Sequence, residues 1–130
     1  MSRLLSVVLF AASLILVGAC AETVSKPGPT PIGMGSGKIT LEKVTEAIQK
    51  AAPKAKWTAT VIRPGLIEAK RAWGGGKHSI VVEVVYNTKD FEINPKSSKN
   101  LRRSDGSVHP AFNFQIGELR RAIKSTTWSM

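Results

Sequence analysis

Catalysis and ligand binding draw on nucleophiles, bases, metal ligands and clustered charge, and this 130-residue sequence is rich only in the last. Its densest polar stretch, read as a basic loop, runs from Lys96 to Ser107. Lys96, Lys99, Arg102 and Arg103 place four cations within eight residues, with Ser97, Ser98 and Asn100 between them. Cations with neutral donors between them suit an anion-docking loop, because ionic attraction is supplemented by directional hydrogen bonds. An alternative chemistry uses the same stretch. A serine hydroxyl needs an adjacent base to become a nucleophile, and Ser98 or Ser104 with His109 would supply that pair for a small hydrolase. No nucleophile elbow or oxyanion turn accompanies them. Metal binding needs several ligands to converge, and His78 and His109 are the only histidines, set far apart and outside any His/Glu spacing motif. The glycine-rich run Gly33 to Lys38 is not a phosphate loop, since Ile32 stands at the first glycine position and Ile39 at the hydroxyl position. Asp90 and Glu92 read as solvated strand charges. The expectation is a non-catalytic binding domain without metal or cofactor, with the serine–histidine hydrolase as its alternative.

The remaining reactive residue is Cys20, the only cysteine. Before it come Met1-Ser2-Arg3, an uncharged stretch from Leu4 to Val17, and the small residues Gly18-Ala19. A cation, a short apolar run and small residues before a cut form the tripartite pattern of an export signal. Val17-Gly18-Ala19-Cys20 resembles the lipobox of bacterial lipoproteins. That resemblance implies cleavage before Cys20, diacylglycerol on its thiol, and acylation of the new amine. It also implies a location in the bacterial envelope. Ala21 stands where an Asp would resemble an inner-membrane retention signal, so the outer membrane is expected, with the domain facing the periplasm or the cell surface. A single acyl chain binds a bilayer only marginally, whereas two or three hold firmly.

Cleavage of residues 1–19 removes one charge, Arg3, leaving 18 basic and 9 acidic side chains and a net charge of +9. Such a field favours anionic partners. In an envelope these are lipid phosphates, peptidoglycan carboxylates or acidic proteins. An exported chain does not meet nucleic acid, so none is expected despite a pI of 10.2. With its only cysteine committed to lipid, the domain has no internal disulfide, and a packed core must hold it.

These residues need a scaffold. Residues 20–37 hold the lipidated cysteine and a Pro/Gly/Ser-rich stretch without period, read as a flexible tether. Residues 38–130 read as one domain, small but able to fold alone. Thr40 caps a first helix, in which Leu41, Val44, Ile48 and Ala51 form an apolar stripe and which Pro53 ends. Four segments of β character follow, separated by Pro64-Gly65, Gly74–Gly76 and Asn87–Asp90. In the third, Ile80, Val82, Val84 and Tyr86 share one face. Val81 and Val85 make the other partly apolar, so that face is expected to be covered or to dock a partner, together with Thr58, Thr60, Ile62 and Leu66. The fourth, ending at Pro95, suits an edge. After the basic loop, Pro110 opens a helix with Phe112, Ile116, Leu119 and Ile123 on one stripe. The expected fold is α+β, order α-β-β-β-β-α: a four-stranded antiparallel meander with both helices on one face. With Trp57, Pro64-Gly65, Tyr86, Ser98, Asn100-Leu101, His109-Pro110, Asn113 and Leu119 in these places, the chain resembles a group of small proteobacterial lipoproteins of unknown function. The resemblance implies this fold and no reaction.

Overall fold

Thr40 opens the first helix by accepting a hydrogen bond from the Lys43 amide on its Oγ1 at 3.2 Å, which satisfies one of the helix's unpaired N–H groups. The helix α1, Leu41–Lys54, buries Val44, Ala47, Ile48, Ala51 and Ala52. It passes through Pro53 by one residue rather than stopping there. Closure comes instead from Lys56, whose φ of +63° turns the chain left-handed. The amides of Lys56 and Trp57 then bond back to the carbonyls of Pro53 and Ala52, the usual way of satisfying a helix's last carbonyls. The second helix, α2, Pro110–Trp128, buries Phe112, Ile116, Leu119, Ile123 and Thr127 on the expected stripe.

The computed structural model describes residues 21–33 and 37–130; the expected export signal (residues 1–19), Cys20 and residues 34–36 lie outside the described residues. The class is α+β, with two helices and an antiparallel sheet. The sheet has five strands, not the four expected: β1 (Thr30–Pro31), β2 (Thr58–Arg63), β3 (Leu66–Trp73), β4 (His78–Tyr86) and β5 (Asp90–Lys99), in the order β1-β5-β4-β3-β2. The additional strand comes from the segment expected to be a tether. Thr30 pairs with Phe91 and Pro31 with Asp90, and Ile32 is buried in the core. Upstream, Glu22 and Val108 exchange both backbone hydrogen bonds, at 3.0 and 2.7 Å. The Asn113 side chain accepts from the Ser25 amide at 2.9 Å and donates to the Thr23 carbonyl at 2.7 Å. Composition gave this segment no intrinsic structure, and contacts distant in sequence order it.

A further departure has a local cause. β5 does not stop at Pro95 but continues to Lys99, so Lys96–Lys99 belong to a strand rather than to a loop. The register shifts between Val81 and Val82, which oppose Ser97 and Pro95, leaving Lys96 as the extra residue. A bulge of this kind is where a strand tolerates proline. The two-residue β1 lies outside β5 only at Asp90 and Phe91, so from Glu92 to Lys99 the strand is the edge that the sequence suggested.

One face of the sheet, with Ile67, Ala69, Ile80, Val82, Val84, Phe91 and Ile93, joins the buried helix residues in a single core that includes Trp57 and Leu101. The Trp57 indole N–H donates to the Gln115 carbonyl at 3.2 Å, so its one polar atom is satisfied inside that core. The opposite face is not covered: Thr58, Thr60, Ile62 and Val85 are exposed. Nor is it a continuous apolar patch. Leu66 and Val85 are paired across β3 and β4, but the row containing Val81 is separated from them by Thr60, Glu68, Glu83 and Asn94.

Candidate functional site

The four cations nominated by sequence part company in the fold. Lys96, pushed out by the bulge, reaches across the open sheet face to Glu68 Oε2 at 3.0 Å and Glu83 Oε1 at 3.6 Å. The hydrogen bond and charge of Glu68, and then the charge of Glu83, raise its pKa above the ordinary lysine value. It is the middle of an exposed ion triplet and belongs to no loop.

The other three gather at one end of the sheet. Lys99 closes β5 opposite Ser79, and its Nζ approaches the Gly76 carbonyl at 3.5 Å. Asn100 follows with a φ of +59°, a conformation asparagine tolerates well. Its Nδ2 donates to the Lys77 carbonyl at 2.6 Å. The β3–β4 turn, Gly74 to Lys77, is thereby stitched to the end of β5. Its glycines adopt φ values of +64° to +86°, which tight reversal requires and side chains resist. Lys77, exposed at the foot of that turn, therefore joins the group. Sequence reasoning missed it by treating the turn and the loop separately, although the alignment of His78 with Trp73 and Ser79 with Lys99 brings them together.

Beyond Asn100 the chain makes a small reversal. The His109 amide bonds to the Leu101 carbonyl and the Arg103 amide to the Ser107 carbonyl, at 2.7 and 2.8 Å. Arg102 lies with its guanidinium 5.5 Å from the centre of the Phe112 ring, a cation–π distance that fixes it at the start of α2. Arg103 faces Asp105, whose carboxylate accepts from the Ser107 hydroxyl at 2.6 Å and amide at 2.9 Å. These bonds, the hydroxyl's first, hold the Asp105 pKa below its ordinary value.

The alternative serine–histidine pair is not assembled. His109 caps α2, its Nδ1 accepting from the Ala111 amide at 3.0 Å. Ser104 is exposed in the reversal, and Ser98 faces inward opposite Ile80 with its Oγ buried and unpartnered. His78, diagonal to Ser98 on the same face, stacks on Trp73 at 5.5 Å and leaves Nδ1 buried and unpartnered too. Among the described residues no hydrogen bond joins either serine to His109, and no three metal-ligating side chains converge. The clefts lie elsewhere: one of about 520 Å³ between Leu41, Thr45, Val61 and Pro64, another of about 380 Å³ between Lys43, Lys50, Lys54 and Thr126. Among the described residues no helix is long and apolar enough to cross a membrane.

What this end of the sheet offers is therefore a cationic surface: Lys77, Lys99, Arg102 and Arg103 against two acids, Glu22 and Asp105, each already hydrogen-bonded within the fold. Comparison of the chain with protein-family models, with curated proteins and with solved structures finds no match.

Proposed function

We propose that the chain is a lipid-anchored lipoprotein of the bacterial envelope, non-catalytic, whose small basic domain binds an anionic envelope component or a partner protein. The observation that carries this reading is the run Leu4 to Val17 leading into Val17-Gly18-Ala19-Cys20. An uncharged stretch of this length is a signal's apolar region, and small residues before a single cysteine suit cleavage and acylation. Two features of the domain support it. The cations that sequence grouped into one loop are sorted by the fold into a paired lysine and an exposed cluster, the arrangement a binding surface needs. The histidine on which hydrolysis would depend is engaged as a helix cap. Ala21 after Cys20 favours the outer membrane.

The test is lipidation. Wild-type chain expressed in an exporting bacterium should take up labelled palmitate, lose residues 1–19 and fractionate with membranes. Cys20→Ser should accumulate as unlabelled precursor or soluble protein. A processed, membrane-bound Cys20→Ser form would refute the anchor.

A further inference from the structure

We propose that the end of the sheet carrying Lys77, Lys99, Arg102 and Arg103 is the membrane-facing surface of the anchored protein, its cations contacting the phosphates of anionic phospholipid head groups. This rests on the lipid anchor at Cys20 proposed above and adds an orientation and a ligand to it.

The argument begins with chain length. A free stretch of residues 21–37 would let the domain tumble tens of ångströms from the bilayer, at about 3.3–3.6 Å per residue. The strap removes that freedom. Glu22, two residues after the anchor, is bonded through its N–H and C=O to Val108. Asn113 then grips the next residues from α2, accepting from the Ser25 amide and donating to the Thr23 carbonyl and to the Glu22 carboxylate at 3.1 Å. Farther on, Ile32 is buried in the core. Two residues span at most about 7 Å, so the acyl chains on Cys20 hold Val108 close to the bilayer surface.

Val108 is also bridged to Arg102. The anchor point and the cationic cluster are thus adjacent strands of one small reversal, at one end of the sheet. The hairpin at Asn87–Lys89 and the Pro64-Gly65 turn lie at the other end. Head-group attraction decays over a Debye length, about 8 Å at physiological salt, so only cations beside the anchor feel it fully. Lysines and arginines held there act as a juxtamembrane basic segment does. Of the acids elsewhere on the sheet, Glu68 and Glu83 are engaged by Lys96, and Asp90 and Glu92 lie at the far end, beside the Asn87–Lys89 hairpin.

The experiment places a photo-crosslinking amino acid at Ser104, in the reversal, or at Thr88, in the far hairpin, of the full-length chain. Each lipidated protein is purified from membranes and reconstituted in phosphatidylcholine vesicles with or without phosphatidylglycerol. Irradiation should join phospholipid to position 104 and not to position 88, with more adduct when phosphatidylglycerol is present. Changing Lys77, Lys99, Arg102 and Arg103 together to Gln should reduce the adduct at 104 about fivefold or more, given the strength of basic residues at anionic surfaces. Changing Lys38, Lys43, Lys50 and Lys89 to Gln should leave it unchanged. Lys77→Gln with Lys99→Gln, which spares the Arg102 stack on Phe112, should still lower it about twofold. Equal or greater adduct at position 88, equal losses from the two quadruple variants, or indifference to phosphatidylglycerol would each overturn the proposal. Palmitate on the same bands is read before irradiation. Its absence would overturn the anchor and this orientation with it, whereas palmitate with the wrong crosslink pattern would overturn the orientation alone.

Discussion

Lys56 and His109 carry out backbone duties that their chemistry does not advertise. A left-handed lysine such as Lys56, at φ +63°, crowds its Cβ against the following carbonyl, at about 1–2 kcal/mol relative to a right-handed residue. Glycine has no such clash but loses more entropy on folding. Lys56→Gly is therefore expected to stabilise the protein by about 0.5–1 kcal/mol in urea unfolding, and Lys56→Ala to give no such gain. His109 stands in a place usually held by Ser, Thr, Asp or Asn, and accepts the Ala111 amide with a ring nitrogen. Losing that cap in His109→Ala is expected to cost about 1 kcal/mol, and His109→Asn to recover most of it. If His109 were instead the base of a hydrolase, Asn would restore stability without activity, so an ester or glycan substrate panel on the same variants separates the two roles.

At the scale of elements, what was legible in the sequence is what repeats. The stripes Leu41-Val44-Ile48-Ala51 and Phe112-Ile116-Leu119-Ile123 and the alternation Ile80-Val82-Val84-Tyr86 signal helix and strand through period alone, and each side chain in them is buried except Leu41, which is half-buried at the rim of the core. Features without period were not legible. Thr30-Pro31 is two residues long and carries proline, so nothing local marks it as a strand; Phe91 and Asp90 do. The bulge that turns Lys96 out of a loop and toward Glu68 depends on the register of β4, not on the Lys96 neighbourhood. The candidate site was half readable for the same reason. Lys99, Arg102 and Arg103 are close in sequence, whereas Lys77 arrives only through strand pairing. The strap should behave as an element of its own, its first residues held by Asn113 and by the Glu22–Val108 backbone pair. Asn113→Ala is expected to speed hydrogen exchange of the Glu22, Ser25 and Val108 amides about tenfold or more, since each lost bond is worth about 1 kcal/mol. Val82 and Val84 amides in β4 should keep their protection. Uniform loss across both sets would mean that the strap and core open together.

For the whole molecule, the proposed lipid anchor makes one quantity decisive, namely how far the cationic end can stray from it. The charge of +9 that the proposed cleavage would leave attracts anionic surfaces in any orientation, but weakly once salt limits the field to about 8 Å. In the proposed anchored protein the strap would convert that diffuse attraction into a directed one, because Glu22, two residues after the anchor, is paired with Val108 and Val108 with Arg102. Lengthening the connection should undo the direction while preserving the anchor. Insertion of about ten Gly/Ser residues between Ala21 and Glu22 gives a flexible link with an end-to-end distance of about 17 Å, twice the screening length. Such a variant should still take up palmitate and fractionate with membranes. At low salt its cations should still find the bilayer, but phospholipid adduct at position 104 should fall steeply as salt approaches physiological strength. The strapped protein should lose little over the same range, because its basic end is held at the surface covalently rather than by charge. Identical salt curves for the two proteins would show that the strap opens on the membrane and that net charge alone sets the orientation.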